Sequence, residues 1–236
     1  MKAIVLTFDD HLEIANLVVE SYQRLWPGCP VVFRVPHTHR DPKTIFRGTN
    51  FELVYSESSV RATMERLLAG MHDEFVFWCI CDRYPIELRE PAALHALYEF
   101  ILKDPPQIEA IRLAAAFRAG VQTLDTSRPL VVGPMTYYRQ PRLPFGFYMP
   151  QFVRARLLKT YFFSSELPAA YRIRELHDLV LQAPPVENVY VPERSLFSIG
   201  EATIRGSITA HCCEQMEKLG LPLPAIPRTE HNRLYT

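Results

Sequence analysis

An acidic residue that directly follows the most apolar run of the chain is the first candidate for chemistry. Residues 75–81 carry no charged or amide side chain, and Asp82 comes next. Such a run is typical of a strand buried on both faces of a parallel sheet, and open α/β sheets bind ligands at the carboxyl ends of those strands. We therefore predict that Asp82 faces a cleft. The alternative is an acid that caps a helix or lies in a solvated turn.

A second pair of carboxylates follows the first apolar segment, residues 2–7. Asp9 or Asp10 can accept hydrogen bonds from the amides and hydroxyls of a ligand. Either can also cap the helix that the apolar spacing predicts from Leu12, and Asp10 has the better position for that cap. The residue types alone leave both roles open for this pair.

Two further groups of candidate side chains lie in the second half of the chain. Glu175 and Asp178 are three residues apart on a predicted helix and so lie near one face. Surface ion pairs with neighbouring arginines are the simpler interpretation of that spacing, and a general base is the functional one. In the segment after residue 200, glycines indicate a turn or a close approach to a ligand. Side chains there that can face an anionic group are Glu201, Arg205 and His211.

The elements that must position these residues alternate through the first half. Apolar runs predict strands at residues 2–7, 31–35, 51–55, 75–81 and 111–117. Helical spacing predicts a helix after the first strand, another after the third and one from Pro91, with a polar loop between the second and third strands. Pro36 is expected to end the second strand, and Ser58 or Ser59 to cap the next helix. This alternation predicts an α/β fold with a mostly parallel central sheet and helices on both faces.

The second half has a less regular order of elements. We predict a strand at 130–138, a loop at 141–150, helices at 151–163 and 168–181, a strand at 189–191 and a helix at 208–219. No repeat, low-complexity segment or linker interrupts the chain. A single domain over residues 1–236 is therefore expected.

Composition restricts the class of protein. The 236 residues are 48% hydrophobic, and 26 basic residues balance 26 acidic ones, so a substantial core is possible and no basic field favours nucleic acid. No apolar run is long enough for a signal peptide or a spanning helix, which predicts a cytoplasmic protein. The five cysteines lack paired spacing, which argues against disulfides or structural zinc and favours buried thiols at Cys79 and Cys81.

Three segments, in order along the chain, resemble one family. Residues 4–11 (IVLTFDDH), 81–84 (CDRY) and 198–206 (SIGEATIRG) are similar to bacterial sugar transferases of the GT-A fold, above all those of surface-polysaccharide or lipopolysaccharide assembly. The resemblance implies one GT-A-like domain with a nucleotide-binding half, 1–117, and an acceptor-facing half, 118–236. It also implies transfer of a sugar from a UDP- or GDP-sugar to a glycan or lipid-linked acceptor, and it allows peripheral association with a membrane.

The same resemblance assigns roles to individual positions. In this family the loop after the first strand holds the base and ribose of the nucleotide, which implies contacts by Thr7, Phe8 and Asp9. An acid near the start of a helix in the second half deprotonates the acceptor hydroxyl. Glu175 and Asp178 are the matching candidates for that catalytic base.

The central acidic motif of the family, usually Asp-x-Asp, holds a Mg²⁺ or Mn²⁺ ion that bridges the diphosphate. Here the motif is reduced to Asp82, with Cys81 before it and Arg83 after it. Either Asp82 binds the metal with ligands from elsewhere, or the Arg83 guanidinium neutralises the diphosphate. Further contacts with the diphosphate are expected from Glu201, Arg205 and His211.

Two other functions remain open at this point. A nucleotidyltransferase shares the sheet and the nucleotide chemistry, but such enzymes usually carry a loop rich in glycine and lysine after the first strand. Residues 8–11 contain neither glycine nor lysine, which disfavours that function. The second alternative is a non-catalytic nucleotide-sugar-binding protein that kept the fold and lost the metal motif.

Overall fold

The structure is a computed structural model that describes residues 1–46, 50–115, 124–140, 148–184, 186–232 and 234–235. Its described helices are Leu12–Leu25 (α1), Val60–Leu67 (α2), Pro91–Leu102 (α3), Ala155–Phe162 (α4), Ile173–Gln182 (α5) and Ala210–Lys218 (α6). The strands are Lys2–Leu6 (β1), Val32–His37 (β2), Phe51–Tyr55 (β3), Phe75–Ile80 (β4), Arg83–Leu88 (β5), Ala110–Arg112 (β6), Asp125–Val132 (β7), Met135–Arg139 (β8), Gln151–Arg154 (β9), Val189–Pro192 (β10), Phe197–Glu201 (β11), Thr203–Ile204 (β12), Ser207–Thr209 (β13), Arg228–Thr229 (β14) and Leu234–Tyr235 (β15).

Nine of the described strands form the central sheet, in the order β3-β2-β1-β4-β9-β6-β10-β8-β7. The pairs β3-β2, β2-β1, β1-β4 and β6-β10 are parallel, whereas β9 and β8 are antiparallel to their neighbours. Seven of the nine strands therefore run in one direction, with β8 and β9 reversed. The prediction of an α/β fold with a mostly parallel sheet is confirmed.

The strand β4 is buried along its whole length. Phe77 and Cys79 belong to the hydrophobic cluster that contains side chains of α1 and α3, and Trp78 and Ile80 belong to a cluster with side chains of α2, α4 and α5. Alternate side chains of a strand point to opposite faces of the sheet, so helices cover both faces, as the apolar run predicts. Cys79 and Cys81 are free, buried thiols, which confirms that interpretation.

A small antiparallel sheet, β15-β11-β5, begins directly after β4. The register of β5 and β11 aligns Arg83 with Glu201 and Tyr84 with Gly200. A Cβ atom at Gly200 would lie 2.6 Å from the Tyr84 ring, so only glycine leaves room for that ring. The close approach expected at Gly200 is thus made by a tyrosine of this chain.

Pro36 lies inside β2, and the prediction that it ends the strand is wrong. It pairs with Val54 of β3. Proline has no N–H to donate to a ladder. The pairing of β2 with β1 runs only from Val32 to Arg34, so the missing N–H of Pro36 breaks no bond on that side.

Three predictions for the second half are also wrong. The strand predicted at 130–138 is a hairpin, because the chain turns at Gly133 (φ +54) between β7 and β8. Residues 151–154, predicted as the start of a helix, form β9, which is buried between β4 and β6. Four residues are too few to show a period, so tertiary pairing decides their conformation. Ile208, predicted in the last helix, belongs to β13.

Other predicted elements agree with the structure. The helix α3 begins at Pro91, and Ser59 caps α2 by accepting the N–H of Ala62 at 3.1 Å. The predicted strand at 51–55 is β3. Of the predicted strand 111–117, Ile111 and Arg112 belong to β6, and residues 113–115 are not in a strand. Residues 116–117 lie outside the described residues, as do residues 141–147 of the predicted loop.

Candidate functional site

A cavity of about 880 Å³ lies at the carboxyl ends of four neighbouring parallel strands, β1 to β4. Its walls are drawn from the segments that follow these strands and from the second half of the chain: residues 6–11, 36–40, 56, 58–60, 63, 80–82, Tyr148, Ile173 and Thr203. Open α/β sheets bind ligands at this edge. Asp82 lines the cavity, so the cleft expected from its position after β4 is present.

Asp9 follows β1 and holds the loop that follows β2. Its Oδ1 accepts the N–H of Thr38 at 2.9 Å, and its Oδ2 accepts those of His39 at 2.7 Å and Arg40 at 2.9 Å. Burial disfavours the charged carboxylate, but the three donors together outweigh it and lower the pKa of Asp9. The loop therefore uses most of the hydrogen-bonding capacity of Asp9, whose nucleotide contact stays a prediction.

An ion pair ties the same loop to α1. Both Nη atoms of Arg40 donate to the carboxylate of Glu13, which is 5% exposed. Arg40 also donates to the backbone oxygen of Asp9 at 3.3 Å. A bidentate pair of this kind fixes geometry as well as charge. The loop of residues 38–40 is thus a preformed wall of the cavity, held from two sides.

We expect Asp9→Asn to loosen this wall and to lower the free energy of unfolding by about 1–2 kcal/mol. An asparagine offers one acceptor oxygen where the carboxylate offers two, and its amide N–H₂ turns towards a backbone donor. Hydrogen exchange at the amides of residues 38–40 measures the loosening. Asp10→Asn, at the exposed neighbour, is the matched control, and equal protection in Asp9→Asn and the parent chain would contradict the role of Asp9.

The stabilisation by Asp9 has a defined dependence on pH. Because the pKa of Asp9 in the folded chain is lower than its ordinary value of 3.8, the stabilisation is complete above that value and is lost as the pH falls through the lowered pKa. Acid unfolding followed below pH 4 should therefore be less steep in Asp9→Asn than in the parent chain.

Phe8 provides an open aromatic surface in the cavity. Its side chain is 55% exposed, and its ring lies against the imidazole of His11 with 4.1 Å between centroids. Burial lowers the pKa of His11 against the opposing effect of nearby carboxylates. A planar base can stack on such a ring. Thr7, in contrast, is buried, and its hydroxyl donates to the backbone oxygen of His11 at 3.4 Å, so it holds the turn.

The two carboxylate oxygens of Asp82 have different surroundings. Oδ2 lies 3.2 Å from Nη1 of Arg83. Oδ1 is shielded from solvent and has no hydrogen-bond partner among the described residues. Burial raises the pKa of Asp82 and Glu201 raises it further, while Arg83 opposes both. Because Oδ1 is shielded, a ligand in the cavity would meet the rest of the Asp82 carboxylate, whose side chain is 30% exposed.

The donor set around Asp82 does not fit the expected Mg²⁺ or Mn²⁺. Arg83 Nη1 lies 3.0 Å from Oε1 of Glu201 as well as 3.2 Å from Asp82. Both carboxylates thus have a guanidinium as their cation. Hard divalent cations take several oxygen ligands, and in the part of the chain that the structure describes no three His, Cys, Asp or Glu residues are grouped to hold one.

Glu175 and Asp178 lie on α5 in different surroundings. Glu175 Oε2 accepts the backbone N–H of Arg172 at 2.6 Å, which caps the helix start. Asp178 is 55% exposed and lies 3.8 Å from Nδ1 of His177. The His177 ring packs on Tyr148, a cavity residue, with 5.4 Å between centroids. Burial raises the pKa of Tyr148, and so do nearby carboxylates that include Asp178. Asp178 is therefore the acid of this pair that lies near Tyr148. Neither acid lines the cavity, and the role of either as a catalytic base stays a prediction.

The late segment brings Thr203 to the described cavity wall, and not Glu201, Arg205 or His211. Arg205 (φ 52) and Gly206 (φ 80) form the two-residue turn between β12 and β13, where positive φ at both positions is required. Nδ1 of His211 lies 2.6 Å from the Tyr84 hydroxyl. The contacts of these three residues with a diphosphate stay predictions.

Sequence reasoning missed the loop of residues 38–40, Tyr148, Ile173 and Thr203 as cavity residues. A signal existed for the loop, because it follows the carboxyl end of a predicted strand, as Asp82 does. The other three come from distant parts of the chain. Only the tertiary fold places them at this edge.

No family model and no curated protein matches the chain. Among solved structures, residues 1–349 of S. aureus TarS superpose with a TM-score of 0.50 at 15% identity, covering 83% of this chain and 58% of that structure. A galactosyltransferase LgtC in complex with donor and acceptor sugar analogues gives 0.42 at 10% identity and covers 92% and 78%. A CMP:2-keto-3-deoxy-manno-octonic acid synthetase in complex with CTP gives 0.49 at 15% and covers 93% and 98%.

The likeness to TarS shows the fold. The chain has the α/β fold of nucleotide-sugar transferases of the GT-A type, and its structural neighbours include glycosyltransferases of that type. The chain spans 58% of the length of the TarS structure. In the described residues, no helix is long and apolar enough to cross a membrane.

Proposed function

We propose that this protein is a glycosyltransferase that moves a sugar from a UDP- or GDP-sugar to a glycan or lipid-linked acceptor in bacterial surface-polysaccharide assembly. The observation that carries the proposal is the cavity of about 880 Å³ at the carboxyl ends of β1 to β4, with Phe8 and Asp82 in its wall. Ligand pockets span roughly 300–1,000 Å³. A nucleotide with a diphosphate and one sugar suits the upper part of that range.

The chemistry of the wall suits the parts of such a donor. Phe8 offers a ring for the base, and the carboxylate of Asp82, whose side chain is 30% exposed, offers an acceptor for a ribose or sugar hydroxyl. Hydroxyls that can bind further sugar or phosphate oxygens come from Thr38, Ser58, Ser59 and Thr203. Ser56 and Thr63 are buried, and their hydroxyls bond each other at 3.2 Å. Tyr148 and Ile173, from the second half, line the same cavity. We place the acceptor on this side, next to α5.

A second candidate is a binding protein of the same fold that does not transfer the sugar. It is favoured by the pairing of Arg83 with both Asp82 and Glu201, because these acids are then held by a side chain of the protein. Calorimetry with UDP, GDP and CMP, followed by release of nucleoside diphosphate from UDP- and GDP-sugars in the presence of acceptor extracts, separates the two candidates. Binding without release would favour the binding protein, and no binding of any nucleotide would contradict both.

Phe8→Ala should weaken nucleoside diphosphate binding by about tenfold or more, since stacking of a base on an aromatic ring contributes about 1–3 kcal/mol. Leu102→Ala, which removes an apolar side chain that is 52% exposed at the end of α3, is the control. Calorimetric titration of both variants with a nucleoside diphosphate measures this difference. If both variants bind like the parent chain, the base does not stack on Phe8.

A further inference from the structure

Two carboxylates from distant parts of the chain converge on one nitrogen atom. Asp82 follows β4, and Glu201 ends β11. Nη1 of Arg83 lies 3.2 Å from Oδ2 of the first and 3.0 Å from Oε1 of the second. Carboxylate oxygens are also ligands that a hard divalent metal takes, together with further oxygens such as those of water or phosphate. Here the cation belongs to the protein.

Backbone bonds fix this arrangement. Antiparallel pairing places Arg83 directly opposite Glu201, and the N–H of Ala202 donates to the backbone oxygen of Asp82 at 2.8 Å. Arg83 Nη1 also donates to that oxygen at 3.1 Å. The side chain of Arg83 is 13% exposed and that of Glu201 is 9% exposed. The guanidinium is therefore enclosed, and a hydrated ion cannot take its place without displacing it.

We propose that the Arg83 guanidinium is a built-in replacement for the divalent cation, so that this protein binds nucleotide without metal and excludes metal from Asp82 and Glu201. The proposal deepens the proposed function, on which its nucleotide part rests. The exclusion of metal concerns only these three side chains. It can be measured without any nucleotide.

Removing the guanidinium should create the metal site that it now fills. In Arg83→Gln the two acids keep their backbone positions and lose their cation, so we expect Mn²⁺ to bind at least about tenfold more tightly than to the parent chain. Calorimetry with Mn²⁺ alone measures this, and Mn²⁺ should raise the Tm of the variant and leave that of the parent chain unchanged. Arg83→Lys, which keeps a positive charge, should gain no Mn²⁺ binding.

A second variant identifies the ligands. Arg83→Gln combined with Glu201→Gln should lose the Mn²⁺ affinity that Arg83→Gln gained, because one of the two carboxylates is gone. If Arg83→Gln folds and gains no Mn²⁺ affinity, the guanidinium does not fill a cation site and the proposal is overturned. Tight Mn²⁺ binding by the parent chain would overturn it too, and that measurement needs no variant.

The nucleotide part has its own test. The affinity of the parent chain for UDP or GDP should change less than twofold between EDTA and Mn²⁺ buffers, and a loss of binding in EDTA would overturn metal-free binding. If the parent chain binds no nucleotide in either buffer, the proposed function fails. The Mn²⁺ titrations of the parent chain and Arg83→Gln would still decide whether Arg83 replaces a cation.

Discussion

Replacing Asp82 by asparagine should lower kcat/KM for sugar transfer by roughly 10–100-fold and leave the protein folded. The two side chains have nearly the same shape, and Arg83 keeps its ion pair with Glu201 at 3.0 Å. What is lost is the charge of a carboxylate that lines the cavity and whose side chain is 30% exposed. A hydrogen bond to a charged group contributes about 1.5–3 kcal/mol, and 1.36 kcal/mol is a factor of ten.

Initial rates of nucleoside diphosphate release, together with the Tm, measure this effect. Glu217→Gln, at an exposed acid of α6, is the control and should match the parent chain in both. If Asp82→Asn unfolds readily while its folded fraction transfers sugar at the parent rate, Asp82 is a structural cap of the β4 end. In that case the Asp82 carboxylate contacts no ligand.

We also expect the pH dependence of sugar transfer to differ between Asp82→Asn and the parent chain. Burial raises the pKa of Asp82 above its ordinary value of 3.8, so the charged acceptor is lost at a higher pH than for an exposed aspartate. Activity of the parent chain should therefore fall on mild acidification. Asp82→Asn has no charge to lose at this position, so its profile should lack that fall.

How far the fold follows from the sequence depends on the length of each pattern. The apolar run of β4 is long enough to specify its burial on both faces, and with it the position of Asp82 at the sheet edge. The four residues of β9 carry no period of their own, and their conformation is set by pairing with β4 and β6. Pro36 lies in a strand because the pairing of β2 with β1 ends at Arg34, before a backbone N–H at position 36 would be required. The sequence does not show where that pairing ends.

The candidate site shows a similar division. Asp9 could be assigned to a ligand or a helix cap from its type, but its partners are backbone amides 29–31 residues away. The pattern of side chains in the sequence does not show the backbone conformation of residues 38–40, on which these hydrogen bonds depend. The pairing of Arg83 with Glu201 depends on the register of β5 and β11, which the sequence does not show, since β5 follows β4 after only two residues.

The second large effect is expected on α5, where Glu175 and Asp178 have different surroundings that their spacing in the sequence does not show. We expect Asp178→Asn to slow turnover at saturating donor by about 10²–10⁴-fold, the usual loss for a general base, with little change in nucleotide affinity. Asp178 is 55% exposed, so an acceptor hydroxyl can reach it, and its neighbour His177 contacts the cavity residue Tyr148.

Glu175→Gln is the matched variant on the same helix. Its carboxylate caps α5 through the N–H of Arg172 at 2.6 Å, so it should lower the free energy of unfolding by about 1 kcal/mol and leave turnover of the folded enzyme unchanged. Donor affinity, turnover and Tm measured together distinguish the two roles. If Asp178→Asn turns over like the parent chain while Glu175→Gln does not, the roles are reversed. If neither variant slows turnover, the proton of the acceptor leaves through a group outside α5.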